Sequence, residues 1–353
     1  MPLRLSPVMA GAVLLGASTW MVGCQRSGAR SEQSSHSAAV ADSSSASQPS
    51  ASLPQQIADE LVLLNGGIHT GFRFNHAKGI VVSGSFTPTA QAKTLSRAAH
   101  FSGPAVPVTV RFSNASGIPN NADNDPASGP RGIAIRFNLP GGAFTDIVSI
   151  SHNGFVVGTG EDFLAFLKAI AASGPDVPHP KPVETFLGSH PRAAKFATEV
   201  RARPRSYATA AYFGNNAFVF VDGNGKKQAV RYQIVPLAGV ANLDSASAAK
   251  AGANYLQEEI QHRLARSPVE FRLYAQLPNA GDQTNDGSIV WPDDRKRVLL
   301  GTIRLTKVEP NQEELQRSLT FNPTFLTSGI ELSDDPLVQL RSAVYALSVA
   351  HRH

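Results

Sequence analysis

Between residues 79 and 308, apolar and polar side chains alternate in eight separate runs, and this recurrence limits the fold more than any other feature. The clearest run puts Val269, Phe271, Leu273, Ala275 and Leu277 on one side and Glu270, Arg272, Tyr274 and Gln276 on the other. The runs predict strands at about 79–86, 106–112, 132–137, 146–151, 217–221, 228–235, 269–277 and 297–308. Asp222-Gly223-Asn224-Gly225 supplies a hairpin turn between the fifth and sixth. Eight mainly antiparallel strands favour closure into a barrel, which removes exposed edges and leaves room for side chains or one ligand. Helical patterns fall at 53–64, 161–172, 190–203, 245–266 and 334–349. The expected class is α+β, an eight-stranded antiparallel β-barrel with inserted and C-terminal helices.

The N-terminal part reads differently. Residues 1–24 pair Arg4 with an uncharged apolar stretch from Val8 to Val22, the pattern of an export signal too short for a permanent transmembrane helix. Met21-Val22-Gly23-Cys24 resembles a bacterial lipobox, although such boxes usually carry Leu where Met21 stands. The expectation is an exported, periplasmic protein tethered to a membrane through a lipid on Cys24; a plain secretory peptide is the alternative. Residues 25–52 are a Ser/Ala/Gln tract with too little apolar surface to offset the entropy of ordering, and read as a disordered linker. No such tract divides residues 53–353, which read as one domain. Cys24 is the only cysteine, so no intramolecular disulfide can form.

The net charge of +5 falls to about +4 once Arg4 is removed, and no dense basic block with interleaved aromatics argues for nucleic-acid binding. Several short motifs fail in context. Gly158-Thr159-Gly160 has Phe163 where a dinucleotide fingerprint needs its third glycine. Glu259 and His262 form one Glu-x-x-His where a di-iron bundle needs two, and Ser247-x-x-Lys250 lies on an Ala-rich helix.

What remains is polar residues in apolar surroundings. In the last helix Pro336 suits a first turn behind Asp334 and Asp335, and Leu337, Leu340 and Val344 mark a buried face. Arg341 and Tyr345 stand four apart, on one face. A fixed cation beside a phenol favours the phenolate, a hard ligand for ferric iron. His76 precedes the first strand, Arg111 and Ser113 share a face at the end of the second, and Asn153 follows the fourth. Taken singly, each has a plainer reading: a packed tyrosine, a core histidine, a surface arginine, turn-forming polar residues.

Together they resemble a known family. His76-Ala-Lys-Gly79, Val-x-Val-Arg-Phe-Ser ending at Ser113, Pro130-Arg-Gly-x-Ala-x-Arg-Phe137 and Arg341-x-x-x-Tyr345, in this order, look like the haem catalase superfamily. Leu-Ser-Arg-Ala-x-His-Phe at 95–101, Glu161-Asp-Phe-Leu164 and Trp291-Pro-x-Asp-Arg295 resemble its short members, the catalase-related peroxidases. The resemblance implies a catalase-like barrel binding haem b, with Tyr345 as ligand to ferric iron and Arg341 holding it as phenolate. It implies His76 as the acid–base group, Asn153 holding peroxide and Ser113 fixing the imidazole tautomer. Arg73, Arg111 and Arg352 match positions that pair with haem propionates, and Phe163 matches an aromatic over the haem face.

Asn75 and Ser333 depart from the pattern, standing where large catalases carry an apolar residue and where related chains usually carry Pro. The arm and extension of large catalases have no counterpart, which implies a more open haem reached by a small organic electron donor. The expected activity is peroxidase, using hydrogen peroxide or organic peroxides, with weak catalase activity. The rivals are an allene oxide synthase-like enzyme that converts hydroperoxides and a non-enzymatic envelope carrier of haem or an apolar ligand.

Overall fold

The computed structural model describes residues 51–200 and 202–352. The signal segment, Cys24 and nearly all of the Ser/Ala linker lie outside the described residues. The strands are β1 (Gly79–Pro88), β2 (Val106–Asn114), β3 (Arg131–Asn138), β4 (Phe144–Ile150), β5 (Tyr212–Phe213), β6 (Phe218–Val221), β7 (Lys227–Pro236), β8 (Val269–Gln276), β9 (Arg297–Val308) and β10 (Ile330–Leu332). Antiparallel pairing runs β7-β5-β4-β3-β2-β1-β9-β8 and returns from β8 to β7, closing an eight-stranded barrel. β6 continues along the same edge of β7 that β5 uses, and β10 pairs with β6.

The fifth wall strand is therefore longer than its sequence suggests, and broken. Phe213 pairs with Gln233 and Phe218 with Val230; Gly214 N still bonds Tyr232 O (2.9 Å), and Asn215–Ala217 loop out beyond it. Tyr212-Phe213 alone is too short a run to read as a strand.

Alternation fixes what faces inward. Val108, Val110 and Phe112 of β2, with Ile133, Ile135 and Phe137 of β3, join one core with Tyr207, Tyr212, Phe220 and Phe271. The barrel interior is thus filled by side chains. The alternate positions, Arg111 and Ser113 on β2, Gly132 and Ala134 on β3, Val148 and Ile150 on β4, line a cavity on its outer wall.

The helices are α1 (Leu53–Leu64), α2 (Ala92–Leu95), α3 (Ala99–Ser102), α4 (Gly160–Ala171), α5 (Pro182–Ser189), α6 (Pro191–Glu199), α7 (Ser245–Lys250), α8 (Tyr255–Leu264), α9 (Gln312–Ser318) and α10 (Pro336–Ala350). α1, α4 and α10 pack through Ile57, Leu164, Leu167 and Val344 and roof the outer wall. The helix expected at 190–203 stops at Glu199. The one expected at 245–266 is split, because Ala253 O is drawn away to accept from Lys78 Nζ (2.7 Å) and Asp123 N (2.8 Å). No described helix is long and apolar enough to cross a membrane.

One core residue is out of keeping. His100 is 1% exposed among Phe86, Phe101 and Phe137, and neither ring nitrogen has a partner among the described residues. Burial pushes its pKa down to about 3. An unfolded imidazole titrates near ~6.5, so below that pH the unfolded chain binds a proton that the folded chain refuses. Stability is lost as pH falls from about 6.5 toward about 3, by up to ~1.4 kcal/mol per pH unit. His100→Phe is expected to shrink the loss between pH 7 and pH 5, read by urea unfolding, by about 1–2 kcal/mol.

Candidate functional site

The cavity between the outer wall and the helical roof spans about 1410 Å³ of atom-free space, part of it open to solvent. On the barrel side the chain enters β1 through His76, the one non-glycine among the described residues with positive φ (57°). That left-handed turn costs on the order of 1 kcal/mol and aims the imidazole at the wall. His76 Nδ1 meets Ser113 Oγ at 3.0 Å, which leaves Nε2 for the cavity. Gly132 makes the fit possible: a Cβ there would lie 2.5 Å from Ser113 Oγ and 2.9 Å from His76 Nδ1. Gly79 does the same for Arg111, whose Cζ would lie 2.6 Å from a Cβ at 79. Burial, then Arg111, Arg341 and Arg73, push the His76 pKa down to about 3, so its imidazole is a neutral base at ordinary pH.

α10 forms the opposite side. Leu337, Leu340, Arg341, Val344, Tyr345, Ser348 and Arg352 recur at three- and four-residue steps and all face the cavity. Asp335 caps the helix, its Oδ1 accepting from Leu337 N (2.9 Å), and its Oδ2 accepts from Asn216 Nδ2 (2.8 Å). Asn216 Oδ1 in turn accepts from Arg341 Nη1, and Arg341 Nη2 donates to Tyr345 Oη at 3.1 Å. Burial raises the Asp335 pKa, opposed by the bonds from Asn216 and Leu337 and by Arg341. The chain of contacts thus runs from the helix cap to the phenol through the break in the fifth wall strand.

At one end of the cavity three arginines converge. Arg73 donates to Gln316 O (3.0 Å) and Leu319 O (2.6 Å). Arg352 donates to the same two carbonyls (3.1 and 3.0 Å) and to Thr320 Oγ1 (2.7 Å). Arg111 donates to Gln316 Oε1 (2.6 Å), His76 O (2.9 Å) and Ala77 O (3.0 Å). All these acceptors are neutral, and no carboxylate is among them. The carbonyls at and just beyond the C-terminal end of α9 suit cations, yet full positive charge remains. Burial lowers the pKa of all three, Arg111 to about 10, and repulsion from neighbouring guanidinium groups adds to it at Arg73 and Arg111. Arg352 Nε is buried with no partner among the described residues.

Of the residues expected from sequence, His76, Ser113, Arg73, Arg111, Phe163, Arg341, Tyr345 and Arg352 line this one cavity. Asn153 lies in the half-buried turn after β4, outside the lining, beside Gly154, whose N–H bonds Asn215 Oδ1 (2.8 Å). Sequence reasoning missed Asn215, Asn216 and Phe155, which line the cavity, and Gln316 behind the arginines. The Asn-Asn pair at the edge of a strand was the available signal. No cluster of three or more His, Cys, Asp or Glu able to hold a metal occurs among the described residues. A ring-shaped apolar group bearing two carboxylates and an iron fits this donor set: apolar walls, uncompensated arginines at one end, and a phenol held by Arg341.

A family model described as Catalase matches residues 70–353. The chain is 36% identical over 292 residues to a catalase-related peroxidase of Synechococcus elongatus, covering 81% of this chain and 85% of that one. It is 37% identical over 290 residues to a catalase-related peroxidase of Mycolicibacterium paratuberculosis, covering 81% and 91%. Among solved structures, a fungal catalase superposes with TM-score 0.71 at 21% identity over 80% of this chain, and a bacterial catalase with 0.70 at 21% over 89%. These two show the fold alone, and the chain spans 59% and 63% of their lengths.

Gly132→Ala is expected to destabilise the protein by about 1–3 kcal/mol in denaturant unfolding, because the new methyl overlaps Ser113 and His76. Adding Ser113→Ala should recover part of that loss, since the closest collision is removed.

Proposed function

The chain belongs to the catalase family and is an oxidoreductase acting on peroxide, and on that premise we propose that it is a haem b peroxidase that reduces hydrogen peroxide or organic peroxides with a small organic electron donor. One observation carries this reading: a neutral imidazole on the barrel side faces the same cavity as an arginine-held phenol on the helix side, beside arginines without anionic partners. Bound there, haem would supply the redox-active ferric iron that cleavage of a peroxide O–O bond requires.

The residues divide the remaining work. Tyr345 Oη would ligate the iron, and Arg341, fixed by Asn216 and Asp335, would stabilise its phenolate form. Arg73, Arg111 and Arg352 would hold the propionates, for which guanidinium geometry is suited. Phe163, packed on Phe155 with ring centroids 5.4 Å apart, would cover one haem face. His76 Nε2 would take a proton from the near oxygen of peroxide and return it to the far one, so that the far oxygen departs as water. Ser113 would hold the ring by Nδ1. Asn153, the amide proposed for peroxide, stands outside the lining, so that role would require the turn after β4 to bring it into the cavity. The open mouth supports access for an organic donor, and peroxidase turnover should exceed dismutation, leaving weak catalase activity. The N-terminal signal and Gly23-Cys24 support a periplasmic, lipid-tethered location.

The absorption spectrum tests the reading. Purified protein should show a high-spin ferric Soret band that is shifted or lost in Tyr345→Phe. His76→Ala should retain haem while reacting with peroxide about 100-fold or more slowly, and a variant as fast as wild type would refute the assigned role. Fast oxygen release without oxidation of phenolic dyes would refute the peroxidase assignment.

A further inference from the structure

We propose that Gln316 is the positioning residue that holds Arg73, Arg111 and Arg352 in place while leaving their charge uncompensated, a role resting on the haem reading above. Its Oε1 accepts from Arg111 Nε at 2.6 Å and lies 3.5 Å from Arg73 Nη1. Its main-chain oxygen accepts from both Arg73 and Arg352. Its Nε2 donates to Gly79 O (3.0 Å), the residue whose missing Cβ makes room for Arg111. One residue thereby touches all three arginines and the strand they cross.

The helix that carries Gln316 is itself pinned. One turn earlier Gln312 pairs with Val81 in both directions, Oε1 accepting from Val81 N (2.9 Å) and Nε2 donating to Val81 O (2.7 Å). That pairing occupies β1 where its ladder with β9 ends, at Val82 opposite Val308. The side chain of Gln312 serves as one more strand residue, and α9 cannot turn about its axis without breaking it.

The amide is the informative part. A glutamate at 316 would have nearly the same shape and would accept a stronger bond from Arg111, set against the loss of the Nε2 donation to Gly79 O. It would also pair internally with guanidinium groups that an incoming carboxylate needs. A neutral acceptor orients the three cations without cancelling them, which suits an occupant bearing anionic groups at its edge.

The test is binding by full-length protein produced without haem, using haemin and haemin dimethyl ester as probes and absorption titration as readout. Gln316→Glu should stay folded, with the stronger bond to Arg111 offsetting the lost donation to Gly79 O, bind haemin about 10-fold or more weakly, and bind the ester as wild type does. Gln316→Met, which lacks the acceptor but adds no charge, should show a smaller haemin-selective loss. Equal losses for haemin and ester in either variant, or undiminished haemin affinity in both, would overturn the role. Uptake of neither porphyrin by wild type would overturn the haem reading, and this inference with it.

Discussion

Three guanidinium groups share one end of a largely apolar cavity without a carboxylate partner, and much of the surrounding structure answers to that charge. Desolvating an unpaired cation is expensive, and each arginine donates to neutral acceptors drawn from distant parts of the chain. α9 contributes carbonyls, β1 contributes a glycine, and the His76 turn contributes two more carbonyls. Burial first, and then Arg111, Arg341 and Arg73, keep a neighbouring imidazole neutral. The electrostatics of the cavity is therefore one arrangement, in which the anchor for an anionic ligand also helps set the protonation state of the base.

The helix side rests on a defect in the barrel. An unbroken fifth strand would keep residues 215–217 in the ladder and away from α10. Because it breaks there, Asn216 reaches both Asp335 and Arg341, and the cap of a helix becomes part of the support for a phenol nearly three turns along it. Ladder hydrogen bonds are given up for position, in the loop whose Asn216 bonds Asp335 and Arg341.

Much of this could be read from the sequence, for identifiable reasons. Alternation exposed the wall strands because inward and outward faces have opposite polarity, and the four-residue step from Arg341 to Tyr345 needs only helix geometry. What escaped depends on contacts between remote residues. α9 is short and polar, and its docking comes from two glutamine side chains on β1. The break at 215–217 is visible only against β7, and the split at Gly252 only once Lys78 and Asp123 claim Ala253. That the ligand space lies outside the barrel also needed the packed interior, since an eight-stranded ring is wide enough to suggest the opposite.

On β2 the sequence Val110-Arg111-Phe112-Ser113 alternates between core and cavity at every step. A slip of one residue against its neighbours would bury Arg111 and Ser113 in the hydrocarbon interior and turn Phe112 toward the site. No intermediate register keeps the core while spoiling the chemistry. Mutations that loosen strand pairing are thus exposed to purifying selection through protein abundance before any loss of turnover is felt, and a folded population of this chain carries its reactive groups correctly aimed.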